Sequence, residues 1–193
     1  MKFIIVGFGV QGKKRAKVAG KNCVAIVDPF EKKADYKSVF DVPLELFDAA
    51  MICTPDSQKN EIIIHLLKKN KHVLVEKPLL DDKKINLNHI KKLCERKKLT
   101  CYTAYNHRFE PHFINFKNLL KNKKIGKPYF IRLFYGNGTA RLVRDSKWRD
   151  KEGGVLYDLG SHILDTYIFW FGYQDVKFNV FMDSKFENKS HDH

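Results

Sequence analysis

Three glycines in Gly7-Phe8-Gly9-Val10-Gln11-Gly12 have the spacing that lets bare backbone approach a pyrophosphate. The glycines allow a tight turn, and a helix starting there points its free N–H groups and positive dipole end at the anion. Phe8, Val10 and Gln11 belong to the same candidate cradle. Asp28 follows 19 positions after Gly9, where a carboxylate can accept both hydroxyls of an adenosine ribose. It would repel a 2′-phosphate, which favours NAD over NADP as cofactor. Two further groups could act on a substrate. Lys77, in Glu76-Lys77-Pro78, can hydrogen-bond a reacting oxygen and stabilise developing negative charge. Asp158 and His162, at i and i+4, would share one face of a helix. An imidazole titrating near neutrality is suited to taking the proton of an alcohol as its hydride leaves. Asp165, three residues further, could orient that imidazole.

These residues need elements to hold them. Apolar, strand-like runs lie at 2–6, 22–27, 48–53, 72–75 and 100–105, with helical patterns at 10–19, 57–69 and 82–97 between them. Such alternation builds βαβ units, an α/β fold with a Rossmann-type parallel sheet and helices on both faces. The glycine loop follows the first strand, Asp28 the second and Glu76-Lys77-Pro78 the run at 72–75. Ligands of open α/β sheets bind beyond those carboxyl ends. Asp56 or Ser57 would cap the helix at 57–69, and a weak edge strand is expected near 37–40. Further on, the pattern predicts a helix at 110–123, a strand at 129–135, a loop to about 152, a helix at 154–171 and a strand at 176–182. Gly160 inside that last helix points to close approach of another group.

The 193 residues carry a formal net charge of +14 and are 44% hydrophobic, enough for a sizeable core. The lysines are spread over nearly every predicted helix. With no zinc spacing and no nucleic-acid-binding signature, this describes a solvated basic surface and argues against a nucleic-acid partner. A positive field would steer an anionic small molecule. The four cysteines form no C-x-x-C pair and no metal-ligand pattern, so neither a disulfide framework nor a metal is expected. No signal peptide or bilayer-length apolar run is visible, and a cytoplasmic protein without membrane partners is the expectation.

Several motifs together make the chain resemble the Gfo/Idh/MocA family of NAD(P)-dependent oxidoreductases. They are G-x-G-x-x-G at 7–12, Thr54-Pro55, Glu76-Lys77-Pro78, Asn106-x-Arg108-Phe109-x-Pro111 and D-x-G-x-H-x-x-D at 158–165. The resemblance implies hydride transfer between nicotinamide and a secondary alcohol or ketone of a sugar, inositol or nucleotide sugar. Lys77 and His162 would be the catalytic pair, and Asp158 would hold a substrate hydroxyl. Thr54, Pro55, Glu76, Lys77 and Asn106 would line the nicotinamide side. It further implies a dinucleotide-binding domain over 1–125 and, over 126–193, the start of an α+β domain with an open, incomplete antiparallel sheet. Two departures stand out. Lys59 occupies a position where many relatives carry histidine, and relatives are substantially longer, so the sheet they use to form homo-oligomers is only partly present. A catalytically silent NAD-binding regulatory or partner-binding module is the alternative reading.

Overall fold

The computed structural model describes residues 1–79, 86–136, 138–145, 154–173, 185, 188 and 189. The chain divides into two compact units, Met1–Ala104 and Tyr105–His193.

The first unit is a five-stranded sheet of β1 (Phe3–Val6), β2 (Cys23–Val27), β3 (Ala49–Ile52), β4 (His72–Val75) and β5 (Cys101–Thr103), ordered β2-β1-β3-β4-β5. Every neighbouring pair is parallel. Helices α1 (Val10–Ala19), α2 (Asp56–Lys68) and α3 (Leu87–Lys97) connect the strands. The two-residue period of each strand distributes side chains to two faces. Ile4, Val6, Ala50, Ile52, Val73 and Val75 pack with Ile62, Ile63, Leu66 and Leu67 of α2 and with Ile90 and Leu93 of α3. Ile5, Met51 and Leu74 face the other way, with Ala16 and Ala19 of α1. Parallel sheets covered on both faces read as continuous apolar runs, which is why the strands stand out in the sequence.

The ladder continues one residue beyond the strands. Gly7 N donates to Val27 O (2.8 Å), Cys53 N to Val6 O (2.7 Å) and Glu76 N to Ile52 O (2.9 Å). The turns after β1, β3 and β4 are thereby placed side by side. Because β1 lies between β2 and β3, the chain leaves it in one direction and returns on the other, making the switch point where α/β sheets open a crevice.

Some expectations change. The edge strand near 37–40 is absent; a single bridge joins Val27 and Tyr36, and Val39–Asp41 forms a 3-10 turn. Side chains compete with the ladder there: Asp35 Oδ2 accepts from Ile26 N (2.8 Å) and Ser38 Oγ from Phe40 N (3.3 Å). Helix α2 takes Pro55 at its N-cap, with neither Asp56 nor Ser57 capping it. Asn86 caps α3 by accepting from His89 N (2.9 Å).

In the second unit, α4 (Pro111–Lys121), α5 (Thr139–Arg144) and α6 (Ser161–Phe171) follow a 3-10 turn at Asn106–Phe109. Helix α4, placed in the first domain on sequence, folds with α6 instead. Trp170 Nε1 donates to Phe113 O (3.1 Å), and its ring packs on Phe113 and Phe116. Residues 129–135 form no strand, and Tyr129, Phe130 and Phe134 are exposed. Among the described residues no ladder neighbour lies beside this run, and a strand is defined by such pairing. The run at 176–182 lies outside the described residues. No described helix is long and apolar enough to cross a membrane.

The main core belongs to α2 and the sheet, where Leu66 is fully buried. Leu66→Ala is expected to cost about 2–5 kcal/mol, read as a lowered urea midpoint at unchanged helix content by circular dichroism.

Candidate functional site

The glycine loop connects β1 to α1, and its glycines serve different ends. Gly7 has φ +89°, and a Cβ there would lie 2.9 Å from Cys53 C and O. This is the close approach of the turns after β1 and β3. A Cβ on Gly12 would collide with the Gly7 carbonyl oxygen, so α1 can start tight against the strand end only with glycine there. Gly9 is different: its φ is an ordinary −70° and a Cβ would meet nothing within 4 Å. The space above Gly9 is open, at the N-terminus of α1, whose first turn contains no acidic residue.

Asp28 clasps this loop. Its Oδ2 accepts from Phe8 N (2.7 Å), while Oδ1 accepts from Phe30 N (2.8 Å) and Glu31 N (2.9 Å). Burial pushes the carboxyl pKa up, but these three donors and the charge of Lys37 outweigh it and hold it below the ordinary 3.8. A carboxylate oxygen carries two lone pairs, so Oδ2 keeps acceptor capacity for a ligand hydroxyl.

Beyond β3 and β4 the turns converge further. Thr54 Oγ1 is buried and has no hydrogen-bond partner among the described residues. Glu76 Oε1 accepts from Arg15 Nε (2.7 Å), with the guanidinium 2.6 Å away as an ion pair. That pair ties the β4 turn to α1. Lys77 is half-buried and precedes a cis peptide bond to Pro78. Burial, then the nearby Glu76 charge, pushes the Cys53 thiol up to about 12, which makes it an inert thiol. Lys59, at 2% exposure, is the most buried charged residue described. Its ammonium donates to Glu76 O (2.6 Å) and Pro78 O (2.8 Å) and pairs with Asp56 Oδ1 (2.6 Å).

The second unit carries the other predicted residues. Asp158 lies in a π turn, Leu156–Gly160, immediately before α6. The wider turn replaces the continuous α-helix read from the sequence, a local change common at functional positions. The close approach expected at Gly160 is not found among the described residues: a Cβ there would meet only the Leu156 side chain of its own turn, at 3.2 Å from Cδ1. His162 is buried and ringed by aromatic edges, with His107 at 4.8 Å, Tyr105 at 5.8 Å and Tyr135 at 5.9 Å between centroids. Burial pushes the Tyr105 phenol up, as does Asp165; Ser161 and Arg108 act against them. His107 Nδ1 is 2.7 Å from Glu110 Oε1, and Asn106 Nδ2 donates to the same oxygen at 3.2 Å. Both oxygens of Asp165 accept from Arg108, at 2.6–3.0 Å. Asp165 therefore anchors α6 to the turn at Asn106–Phe109. Among the described residues no cluster of histidine, cysteine or carboxylate side chains could hold a metal.

The structure thus brings Gly7, Phe8, Gly9, Val10, Gln11, Gly12, Asp28, Thr54, Pro55, Glu76 and Lys77 into the first unit. It places Asn106, Asp158 and His162 in the second. Two residues that shape the site, Arg15 and Lys59, carry no motif in the sequence. Arg15 reads as one more surface cation. Lys59 precedes Ile62, Ile63 and Leu66 at helical spacing and so falls on the buried face of α2, a signal the periodicity did contain.

A parallel sheet with a glycine loop and an acid at its switch point defines a dinucleotide-binding α/β protein. Residues 1–105 match the oxidoreductase family of NAD-binding Rossmann fold, and 117–192 match the C-terminal α/β domain of the same family. The chain belongs to that Gfo/Idh/MocA oxidoreductase family. It is 30% identical over 143 residues to a myo-inositol 2-dehydrogenase of Thermotoga maritima, covering 70% of this chain and 41% of the relative. It is also 30% identical over 132 residues to a glucose-6-phosphate 3-dehydrogenase of Bacillus subtilis, covering 63% and 37%. The fold is shared with a scyllo-inositol dehydrogenase of Lactobacillus casei, solved with NAD(H) and scyllo-inositol, at TM-score 0.74, 24% identity, 89% of this chain and 56% of that one. The chain spans about two-fifths of the length of the two curated relatives.

The residues present fit a nicotinamide dinucleotide. The open space at Gly9, the spare capacity of Asp28 and the buried, unpartnered Thr54 hydroxyl are what such a ligand would engage. Gly9→Ala should leave the urea midpoint unchanged and weaken NAD binding about tenfold or more by calorimetry; Gly12→Ala should destabilise the fold itself. Acid titration gives a separate check. The contribution of Asp28 is complete above its ordinary value and is lost as pH falls through the lowered folded value. Asp28→Asn is therefore expected to flatten the loss of stability as pH falls through and below the ordinary aspartate value.

Proposed function

We propose that this chain is the cofactor-binding and catalytic part of an NAD-dependent oxidoreductase acting on a secondary alcohol, or its ketone, of a sugar, inositol or nucleotide sugar. The observation that carries the reading is the Gly7–Gly12 loop clasped by Asp28, found together with the Lys77 turn and a buried His162 in one chain of this family. The named relatives support the substrate class, being dehydrogenases of an inositol and a hexose phosphate.

The α1 N-terminus and the loop amides hold the pyrophosphate, and Asp28 takes the adenosine ribose hydroxyls. A 2′-phosphate would face a carboxylate that stays ionised well into acid, which selects NAD over NADP. When bound, the cofactor supplies the hydride acceptor at its nicotinamide ring. In the oxidation direction Lys77 donates a hydrogen bond to the reacting oxygen, and His162 accepts the hydroxyl proton as the C–H bond gives up its hydride. Asp158 holds a neighbouring hydroxyl. In reduction, His162 returns the proton to the carbonyl oxygen. The substrate is a diffusible, sugar-like small molecule, and nucleic acid and membrane are not partners.

The test is the absorbance of reduced nicotinamide during turnover over a panel of inositols, sugar phosphates and nucleotide sugars. Lys77→Ala and His162→Ala are each expected to lower kcat by about 10²–10⁴, with the NAD dissociation constant little changed. Normal turnover in both variants would refute the assignment. NAD binding without transfer to any of the panel would favour a silent regulatory module.

A further inference from the structure

Lys59 has no part in the chemistry above, yet it is a lysine buried to 2% exposure in a helix face otherwise made of Ile62, Ile63, Leu66 and Leu67. Burying an ammonium is costly unless its donors are satisfied and its charge is balanced. Here both conditions are met. Three N–H groups meet three acceptors: Glu76 O at 2.6 Å, Pro78 O at 2.8 Å and Asp56 Oδ1 at 2.6 Å. The two carbonyls belong to the residues on either side of Lys77. A methionine would fill the same space in the core without this expense. The charge is therefore explained by what it binds.

We propose that Lys59 is a positioning residue, its buried ammonium gathering the main-chain carbonyls on both sides of Lys77 onto one donor group and so fixing the turn that presents Lys77. The proposal rests on the reading of Lys77 as a catalytic residue and adds what orients it. Asp56 balances the charge from the first turn of α2, so the turn after β3 and the turn after β4 are joined through one side chain. Burial is the main influence on the Lys59 pKa and draws it below the ordinary lysine value, with Asp56 and then Glu76 acting the other way. Arg15 reaches Glu76 from the opposite side, so the residues flanking Lys77 are held through the main chain by one cation and through a side chain by another. Displacement of a catalytic group by a fraction of its bonding distance is expensive in rate, which gives such a clamp a function that core packing alone would not have.

The experiment is amide hydrogen exchange on the full chain, read by mass spectrometry for wild type, Lys59→Met and Lys59→Gln. Methionine keeps the volume and removes the donors; glutamine keeps two donors on a stem one atom shorter. Exchange over Glu76–Leu79 is expected to quicken about tenfold or more in Lys59→Met and by less in Lys59→Gln, with Phe3–Val6 unchanged in both. In turnover, Lys59→Met should lower kcat while the NAD dissociation constant and substrate KM hold. Wild-type exchange at Glu76–Leu79 in both variants would overturn the proposal. So would equal loosening of all strands in both, which would make Lys59 a general core residue. The exchange measurement needs no turnover, so failure of the oxidoreductase reading would appear separately, as a wild-type chain that transfers no hydride.

Discussion

The candidate cofactor site depends on a missing methyl group. Helix α1 can begin against the end of β1 only because Gly12 has no Cβ to strike the Gly7 carbonyl. That contact determines where the helix N-terminus points and how near the turn after β3 comes to the turn after β1. Gly7 repeats the condition one layer over, against the backbone of Cys53. Two absent side chains thus bring main-chain N–H groups, a helix dipole and the Thr54 hydroxyl to the switch point of a parallel sheet. No attractive interaction could do the same if either Cβ were present, because backbone atoms cannot yield as a flexible side chain can.

Charged groups then secure what the glycines permit. Asp28 ties the end of β2 to the loop through Phe8 N, Arg15 ties α1 to Glu76, and Lys59 ties α2 to the carbonyls around Lys77. Each of these contacts joins a different pair of elements, so the first unit carries a polar rim above an apolar core of valine, isoleucine and leucine. The second unit uses the same device in the Arg108–Asp165 pair that holds α6 to the Asn106–Phe109 turn. It leaves His162 among the rings of Tyr105, His107 and Tyr135.

Most of the first unit was legible from sequence because its signals are local and redundant. Each strand is a short apolar run and each is followed by a turn residue or a helix. The run at 37–40 misled because Asp35 and Ser38 spend their side chains on the backbone, which a hydrophobic pattern does not register. The stretch 129–135 alternates like a strand but pairs with no strand among the described residues, because alternation fixes which side chains share a face and not which neighbour supplies the ladder. Helical spacing puts Asp165 on the face of His162 and suggests it as the support of the imidazole; its carboxylate is instead engaged by Arg108, 57 residues earlier. Lys59 is visible in the sequence as a departure from a family pattern and as a cation on the apolar face of α2. Its meaning lies in two carbonyls, and carbonyls have no identity in a sequence.

If the Gly7–Gly12 loop holds a pyrophosphate, its amides must respond when the isotopically labelled chain is titrated with NAD and followed by amide nuclear magnetic resonance. Saturable shifts are expected at the amides of Phe8 to Lys13, joined by those of Thr54 and of the residues after Asp28. Saturation with no movement at Gly9 or Val10, or shifts confined to the lysine-rich surface, would contradict it.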